Sequence, residues 1–153
     1  MTSTVQRVII GIAAMVLLGS LVVGLLLGSA VYVWKAALRS GNEAATLQNI
    51  KTIAAVEIQY YNTHNRTFGS FEQLIKEGML TSKFSGDRTV TDGYVFTLKV
   101  TTKSADQLSS YTLNSDPESA NTGASHFYID SRSAEIHTNP NQSASASDPL
   151  SSR

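Results

Sequence analysis

Hydrophobic and polar positions along the chain fall into three stretches with different periods. From Val8 to Trp34 no side chain carries a charge, and Arg7 and Lys35 bound the run. About 20 apolar residues suffice to cross the hydrocarbon core of a bilayer as a helix, so residues 1–35 are expected to form a transmembrane anchor with room to tilt. Tyr32, Trp34 and Lys35 place amphipathic rings and a cation at one end, where the headgroups would lie. A secretory signal peptide is the competing reading, because Gly28 and Ala30 are small residues near a conceivable cut. The apolar run before them is longer than the roughly 7–15 residues of a signal-peptide core. Charge alone does not orient the segment: Arg7 and the terminal amine on one side nearly balance Lys35 and Arg39 on the other.

Beyond Lys35 the period changes. Residues 36–63 contain no proline and set Leu47, Ile50, Ala54, Ile58 and Tyr61 at steps of three and four, the apolar face of an amphipathic helix ending near Asn62–Asn65. Gly41 is its weak point, and the membrane helix can run on into this one. Of Tyr60 and Tyr61, helical spacing sends one inward and the other out. "GSFEQLIKEGML" predicts a short helix capped by Ser70, with Gln73 in the reciprocal position and Gly78 as terminator.

After a loop over Asp87–Gly93 the period becomes two. Tyr94, Phe96, Leu98 and Val100 alternate with Val95, Thr97, Lys99 and Thr101, as a half-buried strand does. Tyr111 and Leu113, then Phe127 and Ile129, repeat the pattern, and a turn over Asp130–Ser133 leads to a last strand around Glu135–His137. The fold class is therefore α+β, with Leu47, Ile50, Ala54 and Ile58 of one long helix packed against Phe96, Leu98, Leu113 and Phe127 of a small antiparallel meander. Residues 36–137 form the head. Residues 138–153, rich in Ser, Asn and Ala, lack the apolar area to offset their ordering entropy and are expected to be a flexible tail.

Composition narrows the functional classes. The chain of 153 residues is one domain's worth, and its 12 basic residues balance 12 acidic ones, so no field concentrates nucleic acid. Tyr60 and Tyr61 then read as packing residues, not as a stacking platform. Cysteine is absent, which removes disulfides and thiolate metal sites. His64, His126 and His137 share no metal-binding spacing, and no nucleophile elbow, phosphate loop or dinucleotide turn is present. The sequence therefore offers no catalytic residue, cofactor or metal ligand, and an enzyme is not expected. Asn65-Arg66-Thr67 and Asn141-Gln142-Ser143 fit the glycosylation pattern, which is too short to carry a function here. Ser20, Gly24 and Gly28 recur every four residues on one stripe of the apolar helix, where small side chains let a second helix approach closely. They are the candidate residues for self-association.

"NEAATLQNIKTIAAVEIQYYNTHNRTFGSFEQLIKEGML" resembles the stretch of type IV pilins and type II secretion pseudopilins in which a helix with an "NEA…LRTI…A…Y" pattern leads into "YGSFEQL…GL". "DGYVFTL", "YTLNSDP", "SHFYID" and "ASDPL" resemble the later strands and ending of that group, in the same order, so that the likeness covers about residues 41–150. The resemblance implies a pilin-like structural subunit or accessory of a type IV pilus or type II secretion pseudopilus. Such a protein would cross the bacterial inner membrane once, with its head in the periplasm or outside the cell and with lipid, copies of itself or other pilin-like subunits as partners.

The first 40 residues depart from the family pattern. They show neither its short basic leader nor the glutamate of its apolar run, whose places fall near Ile10 and Met15 by ungapped counting. Some minor pseudopilins also lack that glutamate. The alternative is a membrane-tethered binding module that has a pilin-like head and forms no filament. Major pseudopilins hold calcium in a loop of the C-terminal region. In "SDPESANTG", Asp116, Glu118 and Asn121 offer oxygen donors, but without the spacing of an EF-hand, and an acidic turn is the expectation.

Overall fold

The structure is a computed structural model that describes the backbone of residues 2–152; among side chains 2–30 it describes Met15–Leu17, Ser20 and Gly24. Helix α1 runs from Thr2 to Thr63, α2 from Phe71 to Lys76, and a 3₁₀ turn covers Ser82–Phe84. Five strands follow: β1 Thr89–Thr91, β2 Tyr94–Thr101, β3 Ser110–Pro117, β4 His126–Asp130 and β5 His137–Asn139. They pair antiparallel in the order β1-β2-β3-β4-β5, an α+β fold with one long helix and one meander.

The chain divides into two compact units, Met1–Ala37 and Leu38–Arg153. In the first, the described side chains of Met15, Val16 and Leu17 are exposed. Most side chains of the uncharged run Val8–Trp34 lie outside the described residues, and with them most of the expected transmembrane anchor. Among the described residues, no helix is long and apolar enough to cross a membrane.

In the second unit α1 is helical through Gly41 and ends where Asn65 takes a left-handed φ of 51°. The Arg66 N–H then reaches back 3.1 Å to the carbonyl of Tyr61, a closure that satisfies one of the helix's last carbonyls. Helix α2 begins as expected: Gln73 N–H donates to Ser70 Oγ at 3.3 Å, and Ser70 N–H donates to Gln73 Oε1 at 2.8 Å.

The core gathers Leu47, Ile50, Ile53 and Tyr60 of α1 with Tyr94, Phe96, Tyr111, Leu113, Phe127 and Ile129 of the sheet. The pairings Leu98↔Leu113, Val100↔Tyr111 and Ser115↔Phe127 keep the inward positions in phase across β2, β3 and β4. The helix face differs from the expected one. Leu47 and Ile50 are buried, Ala54 and Leu98 are only partly so, and Ile58 is 54% exposed. The reason is angular. At 3.6 residues per turn Ile58 lies about 80° round the helix from Ile50, whereas Glu57 lies about 20° away and falls in the middle of the buried face. Tyr60 is buried and Tyr61 partly exposed, as the spacing required.

Two other expectations are corrected. Part of the loop expected over Asp87–Gly93 is strand β1, joined to β2 by a two-residue hairpin. Asp92 and Gly93 take φ of 53° and 74°, the doubly positive conformation that matches strand twist. Residues 140–152 are tethered where a flexible tail was expected. Ala144 is buried and its carbonyl accepts from Asn114 Nδ2 at 2.8 Å. Thr138 N–H donates to the Pro149 carbonyl at 2.9 Å, and Ser151 N–H donates to the Ile136 carbonyl at 2.7 Å. The Ser145 hydroxyl, Asn139 and the Ser145 N–H hold the Asp148 carboxyl below its usual pKa. Side-chain and backbone hydrogen bonds order this segment, so its poor apolar content does not free it.

Candidate functional site

The predicted association stripe lies on α1 in the first unit. Ser20 is exposed, and its Oγ donates to the Leu17 carbonyl at 2.9 Å, which removes the hydroxyl's need for another partner. Among the described atoms outside the helix's own nearby backbone and the two chain neighbours, none lies within 4 Å of the place a Cβ would occupy on Gly24. Among the described residues, nothing covers either position. Gly28, the third residue of the stripe, lies outside the described residues.

In the head, two of the oxygen donors of 115–123, the Asp116 and Glu118 carboxyls, turn to protein partners. Asp116 Oδ1 lies 2.6 Å from His126 Nδ1, and its Oδ2 accepts from Ser143 Oγ at 3.1 Å. Glu118 Oε1 pairs with Arg88 Nη1 at 3.2 Å, while the bond shown for Asn121 is that of its backbone N–H to Ser119 Oγ at 3.3 Å and does not involve its side-chain oxygen. The Asp116 bonds join β3 to β4 and to the segment after β5, and the Glu118 pair joins the following loop to the segment before β1. Among the described residues, no group of three or more His, Asp or Glu side chains is placed to hold a metal ion. The other two histidines are structural: His64 stacks on Tyr60 with ring centroids 3.8 Å apart, and His137 Nδ1 lies 2.7 Å from the Asp148 carbonyl.

A groove of about 680 Å³ opens between the C-terminal turns of α1 and the β2–β3 connection, lined by Ile58, Tyr61, Phe68, Leu108 and Arg132 among others. Ile58 and Leu108, large apolar side chains exposed at 54% and 73%, both face it. Its aromatic wall is Phe68, stacked on Tyr61 with centroids 4.6 Å apart and edge-on to Tyr111 at 5.0 Å. Two hydrogen bonds fix that wall. Phe68 N–H donates to Ser109 Oγ at 3.1 Å, and Ser109 Oγ donates in turn to the Thr101 carbonyl at 3.0 Å. The next residue, Gly69, donates its N–H to Glu57 Oε2 at 3.0 Å. Gly69 has no room for a side chain, since a Cβ there would stand 2.9 Å from Leu74 Cδ2.

Glu57 is the unusual group. It has no exposed surface, and its Oε1 has no hydrogen-bond partner among the described residues. Burial pushes its carboxyl up to about 7, against the opposing pull of the Gly69 N–H. Tyr111, on β3, is pushed up to about 12 by its own burial and then by the charges of Glu57 and Asp130. Sequence inspection missed Glu57, Phe68 and Ser109 as one constellation, because they come from a helix, a connection and a strand lead-in. The available signal was the interruption of the apolar helical face between Leu47 and Tyr60 by an acid, Glu57.

Compared with known protein families, curated proteins and solved structures, the chain has no match.

Proposed function

We propose that this chain is a membrane-anchored, pilin-like structural subunit or accessory of a type IV pilus or type II secretion pseudopilus. It would sit in the bacterial inner membrane by a single pass, with its head in the periplasm or outside the cell. One observation carries the reading: α1 joins the uncharged run Val8–Trp34 to an amphipathic stretch whose buried face lies on a five-stranded antiparallel meander. The blocks of sequence from residue 41 to residue 150 support the same reading. Close packing along Ser20, Gly24 and Gly28, with lipid as solvent, would supply self-association.

A second reading, a membrane-tethered module that binds a partner without forming filaments, is favoured by the missing glutamate of the apolar run and by the open apolar groove at Ile58 and Leu108.

The two readings separate in a crosslinking experiment on the full chain in its native membrane. A subunit resists alkaline carbonate extraction and yields ladders of crosslinked copies that fade in the double variant Gly24→Ile, Gly28→Ile, because the larger side chains part the backbones without reducing apolarity. Release by carbonate removes the anchor from both readings. Retention with no crosslinked copies leaves the tethered module.

A further inference from the structure

We propose that Glu57 is a proton-operated latch: its neutral carboxyl holds the 64–70 connection, and with it the Phe68 wall of the groove, shut against α1, and its ionisation lets that connection open. The inference does not depend on whether the chain forms filaments.

The geometry supplies each part of the device. The 64–70 connection touches the Glu57 side chain through one donor, the Gly69 N–H at 3.0 Å. Ionisation strengthens that bond, but one bond does not replace the several donors a carboxylate engages in water, and Oε1 has none among the described residues, so the lost hydration is what favours opening. Among the described residues no ion pair joins Glu57 to a cation. The titratable group facing it from the sheet is Tyr111, with the Asp130 charge acting on the same phenol. His64, further along α1, stacks on Tyr60 and has Glu77 at 4.0 Å. None of these offers a buried carboxylate a countercharge. Water is the remaining source of donors, and lifting the connection from Glu57 would admit it. Beyond the Arg66 N–H bond to the Tyr61 carbonyl that closes α1, the connection is held at its Phe68–Gly69 end by two N–H bonds on adjacent residues, to Ser109 and Glu57, so that end can swing about the α1 closure.

The direction follows from linkage. With the connection shut the carboxyl titrates near 7, and with it open and hydrated near the ordinary 4.5. Opening releases a proton between those values, so the open fraction rises about tenfold per pH unit and by about 300-fold in all. The latch is fully set below pH 4.5 and is lost as pH rises through 7. Opening uncovers the faces of Tyr61 and Phe68, so the groove would offer more apolar surface at neutral pH than in acid.

Amide hydrogen exchange on the full-length protein in detergent micelles, expressed as protection factors from pH 5 to 8, tests the proposal. Phe68 and Gly69 should be less protected than Leu113 in the core and should lose protection about tenfold per unit up to pH 7. In Glu57→Gln, which keeps the shape and an acceptor for Gly69 but cannot ionise, the pH dependence should vanish. Equal protection at Phe68, Gly69 and Leu113 would mean that the site opens only when the whole head unfolds, and would overturn the latch. So would a persistent slope in Glu57→Gln. Should that variant not fold, the carboxyl carbon-13 resonance of Glu57 in the unaltered protein decides: a midpoint near 7 supports the latch, and one near 4.5 refutes it.

Discussion

Replacing Ile53 by alanine and, separately, Ile58 by aspartate tests which face of α1 builds the head. Ile53 has no exposed surface and belongs to the core. Truncating a fully buried isoleucine removes its transfer free energy and leaves a cavity, for a cost of about 2–5 kcal/mol. Unfolding entropy is roughly 2.1 cal/mol/K per residue, which comes to about 0.24 kcal/mol/K for a unit the size of Leu38–Arg153. A loss of about 3 kcal/mol should then lower Tm by about 12 °C. Ile58 is 54% exposed, so its replacement forfeits about half of a side chain's burial, on the order of 1 kcal/mol. The new carboxylate would stay in water, and Tm should fall by only about 4 °C. Circular dichroism melts of the full-length protein in detergent at pH 5.5, where Glu57 remains protonated, would compare the two. If Ile58→Asp melted as early as Ile53→Ala, the buried stripe through Ile53, Glu57 and Tyr60 would be misassigned.

Two further outcomes follow from named groups. Because Glu57 binds its proton more tightly folded than unfolded, stability gained by the head below pH 4.5 should decline as pH rises through 7, by up to about 3 kcal/mol; urea melts at pH 4.5 and 8 would measure it, and Glu57→Gln should flatten the difference. Deleting residues 145–153 removes the Pro149 carbonyl and the Ser151 N–H that pair with Thr138 and Ile136, together with the Asp148 carboxylate bound to Asn139. At about 1 kcal/mol per net hydrogen bond the truncated chain should lose about 2–3 kcal/mol, and an unchanged Tm would show that the segment contributes nothing.

What could be read from the sequence was whatever rests on local periodicity. The α2 cap follows from Ser70 and Gln73 alone, and the alternation of Tyr94, Phe96 and Leu98 set the inward side of β2 at its start. Three features escaped for separate physical reasons. Counting apolar letters chose Ile58, whereas the angle round the helix chooses Glu57, and an acid at a buried position is too costly to expect without a structure. Strand β1 is three residues long, so its alternation is too short to recognise, although Asp92-Gly93 is the turn pair that a tight hairpin requires. The segment after β5 orders through Asn114, Asn139 and Asp148, and composition registers apolar area, not matched donors and acceptors. The groove was invisible for a further reason: Ile58, Phe68, Leu108 and Arg132 meet only through long-range packing.

The last of those tethers bears on how this protein can meet others. A meander ends in two outer strands whose unpaired N–H and C=O groups invite a foreign strand to join. Here β5 is bridged at His137 by Leu150, and the Pro149 and Ser151 backbone takes up the donor and acceptor that flank it. At the other margin β1 is only three residues long, and the Thr89 and Thr91 hydroxyls fasten it to the carbonyls of Phe84 and Lys83. Recruitment by strand addition is thus blocked on one margin and shortened on the other, a protection against edge-to-edge aggregation. Any copy or partner that engaged this head would find little backbone edge to extend and would rely mainly on side-chain surfaces, so that such an association could be specific without being amyloid-like.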